Sequence, residues 1–424
     1  MQIATLELND QNLLIQTEDG TIHSQPGFAL VTDSGIETGE EARALAWSRP
    51  QDSYHDFWRQ LNQVPLPIQY TWARHHADIA YAQLKRILIQ AKSPEKLIIA
   101  VPGSFSDEQL SLLLGLTKSL GTNVVSVIDS ALAACADQKK ATALVELQLH
   151  QAIVSFIEHR EDRQVVCQQE VIPNIGISQI YNSVAHYISK TLIKIYRYDP
   201  LHTSEGAQEI YNQIPEWFAK FRLVDSISIV LKSPQGELTL KLQKKDIEKL
   251  LNQRLGNLKS AINKHSNVEL LFSYGAILIP TIIKEYAEAN VLSPSCIVKN
   301  CLDLGRNLTS SELYRVTSSP KTISKSKEKN KKKSYVTHIL YDGYAYPASK
   351  KLGITIAGAE LHITNAHNCD SDFVVVVKNQ KLQVLKQNET LDIKIPEKCH
   401  PGESIYLGEN RLLLIEVGNA KSKA

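Results

Sequence analysis

Cysteine and histidine side chains are the first candidates for chemistry, because both residue types bind metals and serve in catalysis. Cys296 and Cys301 lack the two-pair spacing of a zinc site, so we expect both to be core thiols. A four-ligand set can be drawn from two later loops, with the members His367, Cys369, Cys399 and His400. Their spacing matches no known zinc motif, and no Ser-His-Asp or Cys-His arrangement can be recognised from spacing alone. The sequence therefore predicts no metal site.

A lysine-rich run, KTISKSKEKNKKK, occupies residues 321–333 and carries seven lysines and one glutamate. It contributes +6 to a chain whose formal net charge is +2, so the rest sums to −4. Only Ile323 is available for burial, and the run therefore cannot offset the entropy of its own ordering. We expect an extended linker. The alternative is a contact with nucleic acid or anionic lipid through Lys321–Lys333, although the run has no aromatic residue for base stacking.

The composition indicates folded domains. With 424 residues, 43% of them hydrophobic and 22% charged, the chain is long enough for two or three domains and too apolar for general disorder. No stretch reaches the roughly 20 apolar residues of a membrane span. The N-terminal MQIATLELNDQ lacks the pattern of a secretory signal, and six cysteines are too few for a disulfide framework. We therefore expect a cytoplasmic protein.

Strands and helices alternate before the linker. Apolar runs and period-2 patterns predict short strands, namely IATLEL, NLLIQ, FALVT, LIIAVP at 97–102, VVSVI at 124–128, TALVEL and AIVSFI at 142–157, ISIVLKSPQGELTLKL and VELLFSYG. The segment EDGTIHSQPG is expected to form polar turns. Helical signals predict helices at 75–92, 106–120, 177–197, 203–221 and 245–263, and another that starts at Pro280. Trp58, Trp72 and Trp217 are expected to anchor the core.

The residues after the linker show no helical period. Short apolar segments separated by Gly, Asn, Asp and Pro predict strands, namely THILYDGYAYP, GITIAG, ELHITN, DFVVVV, LQVLK, LDIKI, SIYLG and RLLLIEV. Seven or eight strands in about 85 residues suit a small β-sandwich or barrel. The predicted organisation is an α/β domain at 1–316, a lysine-rich linker at 317–334 and a β-sandwich at 335–424.

Roughly residues 1–310 resemble the nucleotide-binding domain of DnaK-type heat-shock chaperones, in the actin-like ATPase superfamily. The resemblance rests on the order and spacing of several segments, namely SQPGFALV with GEEARALA (24–31 and 39–46), IIAVPGSFSDEQ (98–109), GTNVVSVIDSALAACA (121–136), the helix–hairpin–helix region 203–263 and LLFSYGAILIPTI (270–282). It implies an α/β fold of two lobes that enclose a nucleotide. It also implies that 270–282 forms the strand on the adenosine side.

The glycine-rich turns of that family are replaced in this sequence. In the family two such turns wrap the phosphates, because only glycine lets backbone N–H groups approach that closely. The first would fall on Glu-Leu-Asn-Asp at 7–10 and the second on Glu-Leu-Gln-Leu-His-Gln at 146–151. Asp10 would then place negative charge where a phosphate lies, and on the adenosine side only Gly275 survives. We expect bulky side chains to fill the central cleft, namely Gln148, Leu149, His150 and Tyr274.

Three positions at which the family holds carboxylates still carry them, namely Glu7, Asp129 and Glu146. In the family these residues organise magnesium and the attacking water, so the resemblance leaves open an altered site for ATP and magnesium. If a nucleotide binds, its contacts would include Asn9, Gln148, His150 and Gly275. The alternative is that the three carboxylates are ordinary charged residues at strand ends.

The expected function is that of a non-catalytic, chaperone-like pseudo-ATPase. Carboxylates without a glycine-lined cradle do not hold an anionic triphosphate, so we expect no cofactor and no catalytic residue. The two-lobed domain and the C-terminal β domain would then bind protein partners as a scaffold. The alternative is a divergent chaperone that binds and hydrolyses ATP with Glu7, Asp129 and Glu146.

Overall fold

The computed structural model of this chain describes residues 2–68, 70–160, 163–265, 268–307, 313–320, 336–342, 344–357, 360–365, 371–378, 381–388, 393–396, 399–408 and 410–415. The chain divides into two compact units, Met1–Thr322 and Ile323–Ala424. The first unit is mixed α/β, and the described residues of the second unit contain strands and no helix.

The strands of the first unit are β1 (Ile3–Glu7), β2 (Leu13–Thr17), β3 (Ile22–Gln25), β4 (Ala29–Thr32), β5 (Gly35–Thr38), β6 (Ser53–Tyr54), β7 (Lys96–Val101), β8 (Asn123–Asp129), β9 (Thr142–Leu147), β10 (Gln151–Arg160), β11 (Arg163–Pro173), β12 (Ser226–Ser233), β13 (Gly236–Gln243), β14 (Glu269–Phe272), β15 (Asn290–Val291), β16 (Arg315–Val316) and β17 (Ser318–Pro320). Its α-helices are α1 (Glu40–Arg43), α2 (His76–Gln90), α3 (Asp107–Ser119), α4 (Ser130–Ala134), α5 (Ile177–Tyr196), α6 (Ser204–Phe221), α7 (Lys244–Arg254), α8 (Gly256–Asn263), α9 (Pro280–Glu285) and α10 (Cys296–Asn307). Short 3₁₀ helices lie at Pro200–His202 and Tyr274–Leu278.

The first sheet joins a meander to parallel strands. Its strand order is β3-β2-β1-β7-β8-β16. The β1–β2 and β2–β3 pairs are antiparallel, whereas β7 is parallel to β1 and β8 is parallel to β7. Glu7 is the last residue of β1 and pairs with Leu14 on one side and Ala100 on the other. The register therefore places Glu7 directly before the β1–β2 turn.

The second sheet repeats this topology. Its order is β17-β11-β10-β9-β14-β15, with β9, β10 and β11 antiparallel and with β14 parallel to β9. Glu146 lies one residue before the end of β9 and pairs with Ile153. The β1–β2 turn and the β9–β10 turn therefore occupy equivalent positions in the two sheets. We call the first sheet and the elements around it the first half of this unit, and the second sheet and the elements around it the second half.

Apolar stripes on the helices build a core in each half. In the first half, Leu84 and Ile87 of α2 are buried in one cluster with Leu97 and Ile99 of β7. α10 packs against β1 and β7. In the second half, α5, α6 and the β12–β13 hairpin share a cluster that includes Trp217. Burial of such side chains stabilises the fold by about 1.5–3 kcal/mol each.

Local signals in the sequence explain several element boundaries. The Ser106 side chain accepts from the Gln109 N–H and Gln109 Oε1 accepts from the Ser106 N–H; this capping box starts α3 where the sequence predicts a helix from residue 106. Pro280 is at the first turn of α9, as predicted.

Three expectations about local structure were wrong. The segment EDGTIHSQPG contains β3, which pairs with β2. The helix expected at 245–263 is two helices, because the chain leaves helical geometry at Leu255 between α7 and α8. Trp72 is 54% exposed rather than a core anchor, and its indole N–H donates to the Asp33 carbonyl. A tryptophan that finds a backbone acceptor at the surface needs no place in the core.

The second unit consists of two sheets around one apolar core. Its strands are β18 (His338–Tyr341), β19 (Tyr344–Pro347), β20 (Leu352–Ala357), β21 (Glu360–Asn365), β22 (Phe373–Lys378), β23 (Lys381–Gln387), β24 (Ile393–Lys394), β25 (Ser404–Leu407) and β26 (Asn410–Ile415). The sheet orders are β19-β18-β26-β25-β24 and β21-β20-β22-β23. Ile339 and Leu414 of one sheet share the buried core with Phe373 and Val375 of the other.

Candidate functional site

Two turns meet at the centre of the first unit. They are the β1–β2 turn and the β9–β10 turn, which the repeated topology makes equivalent. The Asn9 side-chain amide donates to the Leu147 carbonyl at 3.2 Å, and the Leu149 N–H donates to Asp10 Oδ1 at 2.7 Å. We call these two hydrogen bonds the turn junction. They tie the first half of the unit directly to the second half.

Asp10 is buried in the turn junction, with 4% of its surface exposed. Burial raises the pKa of Asp10 to about 6, while the hydrogen bond from the Leu149 N–H acts in the opposite direction. The Asp10 carbonyl accepts from the Gly27 N–H at 2.8 Å, and a Cβ on Gly27 would overlap that carbonyl. The Leu149 N–H therefore has a carboxylate acceptor that comes from the chain itself.

The N-terminus of α5 is also satisfied from within the chain. The Ile177 N–H donates to the Gln148 carbonyl at 3.0 Å, and the Ser178 N–H donates to the Leu149 carbonyl at 2.9 Å. A Cβ on Gly176 would overlap the Leu149 carbonyl, so glycine permits this close approach. Free N–H groups at a helix N-terminus attract anions, and here carbonyl groups of the β9–β10 turn already bind them.

Gln11 crosses to the second half beside Gly275. A Cβ on Gly275 would overlap Gln11 Oε1, so the glutamine side chain lies against this glycine. The Leu147 N–H donates to Ser273 Oγ at 3.2 Å and holds the end of β9 to the same segment. Tyr274 is 50% exposed and borders the larger cavity described below, so it reaches the central space without filling it as expected.

Two histidines form a second contact between the halves. The Gly176 N–H donates to Gln179 Oε1 at 3.1 Å, so Gln179 Nε2 is the donor to His150 Nδ1, also at 3.1 Å. His150 therefore carries its proton on Nε2, which lies 3.0 Å from both the carbonyl and Nδ1 of His55. Burial lowers the pKa of His55 to about 4. His55 is therefore neutral at pH 7 when it contacts His150.

The three carboxylates lie near one another below the turns. Asp129 and Glu146 are buried, so the interpretation of these two as surface charges at strand ends was wrong. The Ser130 hydroxyl donates to Glu146 Oε1 at 2.8 Å, and Gln169 Nε2 lies 3.2 Å from both oxygens of Asp129. Glu7 borders the larger cavity described below. The Asp129 carboxyl also has a charged neighbour, because Arg315 Nε lies 3.9 Å from its Oδ2.

Protons neutralise two of these carboxyl groups at neutral pH. Burial raises the pKa of Glu7 to about 8, and the charge of Glu146 adds to this. Burial raises the pKa of Glu146 to about 8 as well, and it raises the pKa of Asp129 above its ordinary value. Within the described residues, no group of three or more His, Cys, Asp and Glu side chains has the geometry of a metal site. Among the described residues, Glu146 Oε2 has no hydrogen-bond partner.

Two cavities adjoin the turn junction. The larger has a volume of about 310 Å³ and is bordered by Asn9, Leu149 and Gly275. Its walls include five aromatic side chains, namely Phe28, Trp47, Tyr181, Tyr211 and Tyr274. The smaller has a volume of about 230 Å³ and is bordered by Asp10 and Gln148. The two turns therefore leave a divided space between the halves.

A further group of contacts between the two halves lies beside the larger cavity. Trp47 stacks on Tyr211 with ring centroids 4.0 Å apart and planes 10° from parallel. Gln208 of α6 accepts from the N–H groups of Trp47 and Ser48 at 2.8 and 3.1 Å, and donates to the Arg43 carbonyl at 3.3 Å. We call these contacts the rim latch. They hold the α1 region of the first half on α6 of the second half.

Of the four residues predicted to contact a nucleotide, Asn9 and Gly275 border the larger cavity, Gln148 borders the smaller one, and His150 contacts His55. Gln148 and Leu149 are buried at the junction as expected, and both use their side chains or backbone to bind protein groups. Sequence reasoning placed negative charge at Asp10 but missed its acceptor role. It also missed Gln11, His55 and Gln179. The position of Gln11 next to Asp10 in the sequence could have pointed to it as a site residue. Nothing in the sequence pointed to His55, because its partner lies 95 residues away.

Some predicted features lie outside the described residues. These are the lysine-rich run Lys321–Lys333 and two members of the four-ligand set, His367 and Cys369. Of the proposed core thiols, Cys301 is buried and Cys296 is half-buried.

Neither a protein-family model nor a curated protein matches this chain. Within the described part of the chain, no helix combines the length and the apolar character needed to cross a membrane.

Proposed function

We propose that the first unit is a degenerate two-lobed ATPase domain of the actin and DnaK-type chaperone class, and that the chain is a non-catalytic, protein-binding scaffold. The duplicated sheet topology supports the two lobes, which correspond to the first and second halves. The resemblance of residues 1–310 to that family supplies the class. Within this proposal the turn junction lies where the family binds phosphate.

The proposal that nucleotide binding has been lost rests on one observation: the Leu149 N–H donates to Asp10 Oδ1 at 2.7 Å. Phosphate cradles are built from free backbone N–H groups. Here a carboxylate and two carbonyl groups already accept from the N–H groups of the junction and of α5. A triphosphate would have to displace these acceptors and then lie beside the negative charge of Asp10. The turn junction, the histidine pair and the rim latch also tie the lobes together, which suits a rigid binding platform.

Calorimetric titration of the full chain with magnesium-ATP tests this proposal. We expect no binding tighter than about 100 μM, which corresponds to about −5.5 kcal/mol. The Asp10→Asn variant is the matched control, because it removes the charge and keeps an acceptor for Leu149. Tighter binding by the wild-type chain would overturn the proposal. A scaffold also predicts that a protein partner is retained on the full chain equally well with and without magnesium-ATP.

A second candidate is a divergent chaperone that hydrolyses ATP with Glu7, Asp129 and Glu146. It is favoured by the proximity of these carboxylates and by the aromatic cavity of about 310 Å³ next to Glu7. A phosphate-release assay separates the two candidates. Activity that Asp129→Asn abolishes would favour the enzyme, whereas equal background release by the wild-type chain and the variant would favour the scaffold.

A further inference from the structure

The smaller cavity beside the turn junction offers polar groups that the proposed function does not use. Its volume is about 230 Å³, and both halves contribute to its walls. Asp10 and Arg59 come from the first half, and Gln148 and Gln151 come from the second half. Asp10, Gln148 and Gln151 are only 4%, 3% and 6% exposed, yet all three border open space. Buried polar groups that border a cavity require a partner inside it.

Two hydrogen-bond acceptors border this cavity. Oδ1 of Asp10 is bound to the Leu149 N–H, and no described protein group donates to Oδ2. The amides of Gln148 and Gln151 share one hydrogen bond of 2.7 Å. That bond leaves one amide oxygen and one NH₂ group without a protein partner, whichever way the two amides are assigned. The carboxylate oxygen and the amide oxygen together suit an ammonium group.

Hydrogen-bond donors border the same cavity. Arg59 donates to Asp56 through Nε at 2.6 Å and through Nη2, which leaves Nη1 without a partner among the described residues. The Ser104 hydroxyl has no described protein partner either. With the remaining amide NH₂ group of the Gln148–Gln151 pair, these donors suit a carboxylate.

We propose that this cavity binds a small zwitterion of the free α-amino acid class. Asp10 Oδ2 and the amide oxygen bind its ammonium group, and Arg59, Ser104 and the amide NH₂ bind its carboxylate. A free anion such as phosphate would lie beside Asp10, and a simple cation would leave the donors unused. The volume lies below the roughly 300 Å³ at which pockets for drug-sized ligands begin, so the ligand is small. It would contact both halves at once.

Titration with amino acids tests the proposal directly. The full chain is screened by thermal shift against each of the standard α-amino acids, in phosphate buffer free of amines and zwitterions. The strongest ligand is then titrated by calorimetry beside its N-acetyl and its carboxamide derivatives. We expect each blocked derivative to bind at least about tenfold more weakly, because each loses one charge-assisted pair. The proposal is overturned if no amino acid binds below a Kd of about 10 mM, or if a blocked derivative binds as tightly as its parent.

Substitutions of residues that border this cavity test whether the ligand binds there. Ser104→Ala removes a donor that holds no other protein group, and Gln151→Leu removes an amide. Each should weaken binding about three- to tenfold, the range for one hydrogen bond. Ser119→Ala, at the exposed end of α3, is the matched serine control and should leave the affinity unchanged. Unaltered affinity in Ser104→Ala would contradict the assignment even if Gln151→Leu fails to fold. Because magnesium-ATP is not the probe here, failure of this proposal leaves the proposed function standing.

Discussion

Replacing Asp10 with asparagine should stabilise the first unit at pH 7. Asparagine keeps an oxygen that accepts from the Leu149 N–H and removes the charge that burial disfavours. The pKa of Asp10 rises from 3.8 to about 6 in the folded chain. One pKa unit corresponds to about 1.4 kcal/mol, so holding Asp10 ionised at pH 7 costs the folded state about 3 kcal/mol. We therefore expect Asp10→Asn to raise the free energy of unfolding at pH 7 by about 2–3 kcal/mol.

The pH dependence of the stability difference between Asp10→Asn and the wild-type chain separates the contribution of Asp10 from those of other groups. Because the folded state holds the proton between pH 3.8 and about 6 and the unfolded state does not, this group's contribution to stability falls as the pH rises through that window. The gain from Asp10→Asn should therefore be near zero at pH 4 and largest at pH 7. Asp10→Ala leaves the Leu149 N–H without an acceptor and should be less stable than Asp10→Asn by about 1–3 kcal/mol.

Urea unfolding followed by tryptophan fluorescence measures these differences. All four tryptophans lie in the unit Met1–Thr322, so their fluorescence reports that unit alone. The reasoning is refuted if Asp10→Asn destabilises the unit at pH 7. It is equally refuted if the difference between the variant and the wild-type chain is the same at pH 4 and pH 7.

Three further predictions concern the surroundings of the junction. Glu146→Gln should change the melting temperature little near pH 4.5 and raise it increasingly up to about pH 8, because the folded carboxyl keeps its proton up to a pKa of about 8 whereas the unfolded one loses it near 4.5; a variant as pH-sensitive as the wild type would contradict this. Gly275→Ala should cost less than about 1 kcal/mol in urea unfolding, because its Cβ meets only the flexible end of the Gln11 side chain, which can move aside; a loss above about 2 kcal/mol would contradict this. A double-mutant cycle of Trp47→Ala and Tyr211→Ala should give a coupling energy of about 1 kcal/mol, and additive losses would rule out the stacked rim latch.

Local patterns in the sequence predicted most of the regular elements. The helix start at residue 106, the strands of ISIVLKSPQGELTLKL and the apolar run of β7 were predicted from patterns of a few residues, and each appears in the structure. Failures occurred where local signals were weak. β3 is held by its pairing with β2 rather than by its own propensity, and the end of α7 at Leu255 is marked only by a single glycine, Gly256, which helices tolerate.

The sequence predicted which residue types occupy the candidate site, but it did not predict which of these residues contact one another. The sequence shows that glycines are missing at 7–10 and 146–151, and this correctly indicates side chains at both turns. It does not show that the Asp10 carboxylate reaches the Leu149 N–H, because these groups are 139 residues apart. The proximity of Glu7 and Glu146 likewise follows from the duplicated topology, which no short motif reveals. Such contacts depend on the register of whole sheets.

Selective labelling of leucine with ¹⁵N gives the most direct measurement of the turn junction. The signal of the Leu149 N–H is assigned by its loss in a Leu149→Met variant and is then followed during titration with magnesium-ATP. An N–H that already donates to the buried Asp10 carboxylate should keep its chemical shift and its slow hydrogen exchange at millimolar ATP. A saturable shift of this signal with added ATP would show that a phosphate group displaces Asp10, and would contradict the proposal that the site has lost its nucleotide.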